Sequence, residues 1–167
     1  MPTALILPGR GYTPAMPALF LTALALRDAG LEPVPVEWPA PVGTAVAPDV
    51  VRATVAEAIA THAPSYVVSK SMGTHAAPVV ADHGIDAVWL TPLLDDADCR
   101  AAIARHPGRQ LLVGGTEDFA WHDPHGLGTA EVCELPGADH GYVVAGDAVA
   151  TARTLVEVTR AVRDFVS

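Results

Sequence analysis

A chain of 167 residues in which 50% are hydrophobic, with a mean hydropathy of +0.31, can bury a sizeable core, and its length fits one domain over residues 1–167. The net charge of −9 excludes the basic patches that nucleic acid and anionic membranes require. Two cysteines, Cys99 and Cys133, make neither a disulfide framework nor a metal-type spacing, so both are expected reduced and buried, and no metal or cofactor is implied.

The first element is a short apolar strand, Thr3–Leu7, closed by Pro8–Gly9–Arg10–Gly11. Thr13 followed by Pro14 reads as an N-cap with proline at the first helical position, opening a helix that Gly30 stops. The apolar stretch Ala15–Leu26 within it lacks a basic leader and is too short to span a bilayer. It reads as a core helix, and the chain is expected to be soluble and cytoplasmic, with no membrane partner. Pro33–Trp38 alternates like a strand but carries Pro33 and Pro35; proline cannot donate to a ladder, which predicts a sheet edge.

After a loop, Asp49–His62 is helical, with Val51, Val55 and Ile59 on one stripe. Ser65–Lys70 is a β-branched apolar strand running into Ser71–Met72–Gly73–Thr74–His75, where the next helix begins and extends to about Asp82. Ile85–Thr91 is a buried strand, Asp95–Arg105 a helix, and Arg109–Val113 a strand that runs into Gly114–Gly115–Thr116–Glu117–Asp118. Phe119–Thr129 is ambiguous between loop and short helix. Ala130–Leu135 is a strand, Pro136–Gly141 a loop, and Asp147–Phe165 a long amphipathic helix. Strands alternating with helices predict a mostly parallel sheet of about six strands, with helices on both faces and ligands beyond the carboxyl ends of the strands.

The polar residues at those carboxyl ends come in the order Ser71, Asp118, His140, with Gly9–Arg10–Gly11 after the first strand. A serine hydroxyl cannot attack unaided. An imidazole must take its proton, and a carboxylate must fix the imidazole tautomer and stabilise the imidazolium. Ser71 lies in a small-x-Ser-x-small turn between Ser69 and Gly73, where close strand and helix arms demand small neighbours. The backbone N–H of Met72 and one from the glycine-rich loop after the first strand would receive an oxyanion. Glu117, Asp123 and Asp95 compete with Asp118 for the acid role. Gly11, Tyr12 and His122 are candidate pocket residues; Trp121 and Tyr142 could form pocket walls or equally the core. Lys70 and Arg10 are expected to be solvated or ion-paired surface charges, and Asp139 to cap its loop.

These motifs together resemble the α/β-hydrolases, in particular small capless serine hydrolases of the dienelactone-hydrolase-like kind. Lys70–Ser71–Met72–Gly73 is similar to the Lys/Arg-Ser-Met-Gly elbow of the group related to testis-expressed protein 30. Pro8–Gly11 matches the oxyanion loop, Gly115–Asp118 the acid turn and Ala138–Gly141 the histidine loop. The resemblance implies a minimal α/β-hydrolase fold without a cap domain, since only Pro92–Leu94 stands where a cap would insert. It implies a Ser71–His140–Asp118 triad cleaving a small ester or thioester. The sequence departs from the pattern where Ser69 replaces the elbow's usual first glycine and Pro8–Gly9 replaces His-Gly, so the resemblance implies the N–H of Arg10, or of Gly11, as the second oxyanion donor. An inert binding module of the same fold is the competing expectation; a His140 far out of reach of Ser71 and pointing to solvent would favour it.

Overall fold

The computed structural model describes residues 1–167. Six strands form one parallel sheet: β1 (Thr3–Leu7), β2 (Glu32–Pro35), β3 (Tyr66–Lys70), β4 (Asp86–Leu90), β5 (Gln110–Gly115) and β6 (Ala130–Leu135), in the spatial order β2-β1-β3-β4-β5-β6. Five α-helices cover it: α1 (Pro17–Asp28), α2 (Pro48–His62), α3 (Ala77–His83), α4 (Ala97–Arg105) and α5 (Ala148–Val166). The strands read as continuous apolar runs because both faces are covered. Leu5, Val67 and Trp89 face a core closed by Val51 and Val55 of α2, Val80 of α3 and Ile103 of α4. Ile6, Val68 and Val88 face the opposite core, closed by Leu19 and Leu26 of α1 and Val158 and Val162 of α5.

Local chemistry explains the boundaries. β2 pairs only with β1, Pro33 opposite Ala4 and Pro35 opposite Ile6, so the prolines do lie on an edge. Gly30 (φ 79°) and Gly84 (φ 63°) take the left-handed conformation after α1 and α3. The start of α1 differs from expectation. Pro14 sits in a turn closed by Met16 N–H to the Thr13 carbonyl (3.0 Å), and Pro17 opens the helix with Met16 as its N-cap. Either proline could occupy a first helical position; the turn takes one and the helix the other. The residues after Ser71 form a 3-10 turn, Ser71–Ala76, before α3 begins. Residues 119–129 contain no helix. No helix is long and apolar enough to cross a membrane.

One buried group makes stability pH-dependent. His106, at the C-terminus of α4, is 3% exposed and neither ring nitrogen has a hydrogen-bond partner. Burial pushes its pKa below the ordinary histidine value, against weaker opposition from the nearby Ile85 backbone and then Asp86. Below about pH 6.5 the unfolded chain takes a proton here that the folded chain refuses, so stability is complete above that pH and falls as pH drops through it. Calorimetry between pH 7.5 and 5 should show a Tm decline that is shallower in His106→Leu; equal slopes would refute this account.

Candidate active site

The spatial order places the topological switch between β1 and β3, because the chain leaves β1 for one side and returns to build the other. Ligands in open parallel sheets bind outside the carboxyl ends of the two strands at such a point. Those ends carry Gly9–Arg10–Gly11 and Ser71. Ser71 holds φ 49°, a left-handed conformation that costs a non-glycine residue about 1 kcal/mol or more. The bend is possible because Gly73 lacks a side chain: a Cβ there would stand 2.8 Å from Ser69 Oγ and 2.9 Å from Leu7 Cβ. Ser69 is fully buried beneath the turn, which leaves Ser71 the partly exposed hydroxyl.

Ser71 Oγ lies 2.6 Å from His140 Nε2. His140 Nδ1 lies 2.7 Å from Asp118 Oδ1. A carboxylate accepts only, so Nδ1 carries the proton and Nε2 is free to accept from the serine hydroxyl. Asp118 Oδ1 also accepts Ala120 N–H at 2.9 Å, the carboxylate is inaccessible to solvent, and its Oδ2 has no partner. The loops holding these residues meet at Gly115, where the Ala138 carbonyl passes so close that a Cβ would stand 1.9 Å from it. That carbonyl accepts Glu117 N–H at 3.0 Å. Asp139 caps the histidine loop through Gly141 and Val143 N–H groups. Glu117, Asp123 and Asp95 make no hydrogen bond to His140.

The Arg10 and Gly11 N–H groups have no acceptor within the protein. Arg10 itself is exposed, its Nε donating to the Gly43 carbonyl at 2.9 Å. Gly43 belongs to the lining of a cleft of about 430 Å³, with Pro8, Pro14, Val36, Trp38, Pro41 and Val42 among others, and Trp38 Nε1 donates to the Pro8 carbonyl. Ser71 is not part of its lining. Tyr12 is half-buried, its hydroxyl accepting Ala18 N–H.

Trp121 and Tyr142 belong to the core. Trp121 packs on Gly114 and donates to Glu134, and Tyr142 is fully buried with its hydroxyl on the Val113 carbonyl. His122 is exposed. Phe119 is a neighbour that the sequence reading missed: its ring lies 4.5 Å from that of His140, yet it is 65% exposed. Its position directly after Asp118 was the available signal. Lys70 is a correction: far from being solvated, it is 1% exposed.

One further cluster has metal-compatible donors: His75 Nδ1, Asp96 Oδ2 and Cys99 Sγ lie within 4.8 Å of one another. Burial first, then Asp96, pushes the Cys99 thiol far up, so it keeps its proton and serves as a hydrogen-bonding link between the 3-10 turn and α4.

No protein-family model matches the chain, and no curated protein sequence matches it. Solved structures do. Est1E from Butyrivibrio proteoclasticus, determined with ferulic acid bound, superposes with a TM-score of 0.73 at 14% identity, covering 99% of this chain and 88% of that one. The esterase domain of a Rhodothermus marinus protein gives 0.63 at 14% identity, over 99% of this chain and 88% of that one. Dienelactone hydrolase from Anabaena variabilis gives 0.63 at 14% identity, over 95% and 84%. Likeness at this identity speaks for architecture, and the six-stranded parallel sheet with its five helices has the α/β-hydrolase fold.

Proposed function

We propose that the protein is a serine hydrolase that cleaves a small ester or thioester through an acyl-enzyme. The observation that carries this reading is the continuous path from Ser71 Oγ through His140 to Asp118, at 2.6 and 2.7 Å, on a strained turn at the switch point. Ser71 attacks the acyl carbon while His140 Nε2 takes its proton and Asp118 stabilises the imidazolium. Met72 and Arg10 N–H groups receive the oxyanion. His140 then protonates the departing alcohol or thiol, and a water activated by the same imidazole releases the acid. A His140 turned away from Ser71 would have favoured an inert module; the short contact supports turnover. The Lys70–Gly73 elbow supports kinship with the group related to testis-expressed protein 30.

The link from β4 to α4 is only residues 91–96, which leaves the serine open to solvent and favours small substrates. The proline- and tryptophan-lined cleft beside Arg10 suits an apolar acyl or alcohol group; Est1E, of the same fold, was determined with ferulic acid. A panel of p-nitrophenyl and thioester substrates of increasing acyl length, with a fluorophosphonate probe, tests the reading. Labelling and short-chain turnover are expected; absence of both would overturn it. Phe119→Ala should lower kcat/KM about threefold to tenfold, since aromatic packing is worth roughly that much. Unchanged kcat/KM would show that the ring does not support His140.

A further inference from the structure

Lys70 is the charged group that the triad reading leaves unused. It ends β3, immediately precedes Ser71, and is 1% exposed. A lysine so deeply buried opposes folding unless its charge is matched. Its Nζ donates to Thr91 Oγ1 at 2.5 Å and to the His140 carbonyl at 2.8 Å. It also lies 4.7 Å from the ring centroid of Tyr12 and 5.4 Å from that of Tyr142. These partners arrive from the loops after β1, β4 and β6, so one ammonium ties three strand ends to β3.

Two further observations converge on it. Of the five non-glycine residues with positive φ, three surround Lys70: Ser71 (49°), Thr91 (41°) and Tyr142 (65°). Backbone strain persists only where the surroundings over-determine it. Asp118, meanwhile, is a buried carboxylate with one unpartnered oxygen. Such a charge needs compensation, and His140 supplies it only while protonated.

Resting on the hydrolase reading, we propose that Lys70 is a positioning residue: its ammonium, anchored on Thr91 Oγ1, holds the His140 main chain over Ser71. The titratable groups facing it are Tyr12, Tyr142, Asp118, Asp139 and His140. Burial raises both phenols, which stay neutral. Burial lowers Lys70 to about 8, opposed by Asp118 and then Asp139. The charge is therefore present below about pH 8 and lost above it. A neutral amine still has two protons for Thr91 and His140, so the alkaline change removes charge and spares the contacts.

The test compares the full-length chain with Lys70→Met and Lys70→Arg, by pH-dependent kinetics and by NMR titration of the His140 ring. Lys70→Met should lower kcat about tenfold to a hundredfold with KM nearly unchanged, because the imidazole loses its hold over Ser71, and should move His140 titration upward, because a nearby cation has gone. Lys70→Arg, which keeps a charged donor for the His140 carbonyl, should recover part of kcat and leave the His140 titration near that of the wild type. Wild-type kcat in Lys70→Met, or an unmoved His140 titration, would overturn the proposal. So would wild-type kcat in Thr91→Val, which removes the other anchor of Nζ and decides the matter if Lys70→Met does not fold. If the wild type turns over no ester, the hydrolase reading fails while the His140 titration still decides the role of Lys70.

Discussion

Ser71→Ala is expected to abolish fluorophosphonate labelling and to lower kcat about 10⁴-fold to 10⁶-fold, the range for removing a nucleophile whose partners cannot act without it. On the proposed mechanism binding should be nearly untouched, because the hydroxyl acts in the chemical step. Thermal stability should not fall. Ser71 already occupies a left-handed conformation, so Ser71→Gly should raise stability by about 1 kcal/mol while being equally inactive. That opposition, a gain in stability with a total loss of turnover, marks strain retained for chemistry. Wild-type labelling in Ser71→Ala would remove Ser71 as nucleophile, and lower stability in Ser71→Gly would remove the strain argument.

Gly115→Ala adds one methyl group and should cost about 3 kcal/mol of stability together with at least about a hundredfold in kcat/KM. The new Cβ would stand 1.9 Å from the Ala138 carbonyl oxygen and 2.5 Å from its carbon, backbone atoms that cannot step aside alone. Relief requires the histidine loop to lift from the end of β5. The Glu117–Ala138 hydrogen bond would go, and His140 would leave the 2.7 Å contact with Asp118. Denaturant unfolding and kcat/KM measured on one preparation check both halves. A variant with wild-type stability would show that the loop yields freely. Gly30→Ala, at a helix end with open space around it, is the control for a backbone effect alone.

Much of the architecture was legible because local rules and topology agreed. Pro33 and Pro35 required an edge strand, and β2 is one. Gly30 and Gly84 marked helix ends through the conformation they alone adopt freely. Ser71, Asp118 and His140 were legible as candidates because each follows a strand, and strand ends converge in a parallel sheet. What failed depended on distant partners. Lys70 looked like a surface charge because nothing near it in sequence announces Thr91, Tyr12 and Tyr142 closing over it. Trp121 and Tyr142 could not be assigned between pocket and core because residues 119–129 and 136–147 have no period. The start of α1 failed for a smaller reason: two prolines three residues apart both satisfy the rule for a first helical position.

The order of strands from the switch point also bears on how the molecule is made. From β1, the strands β3, β4, β5 and β6 are laid down edge to edge in the order in which they are synthesised. Each new strand pairs with the one before it, so a growing chain can dock strand by strand at the ribosome's pace of about 5–20 residues per second. The serine turn is complete once β3 and β4 pair, but its histidine lies beyond β6. On the proposed mechanism, every chain shorter than residue 140 carries a serine without its base, and reactivity is expected only when the last edge closes. A fluorophosphonate probe added during refolding would thus act as a clock for the final docking step. Its labelling should lag behind the far-ultraviolet signal of the helices, since long-range parallel pairing is slow.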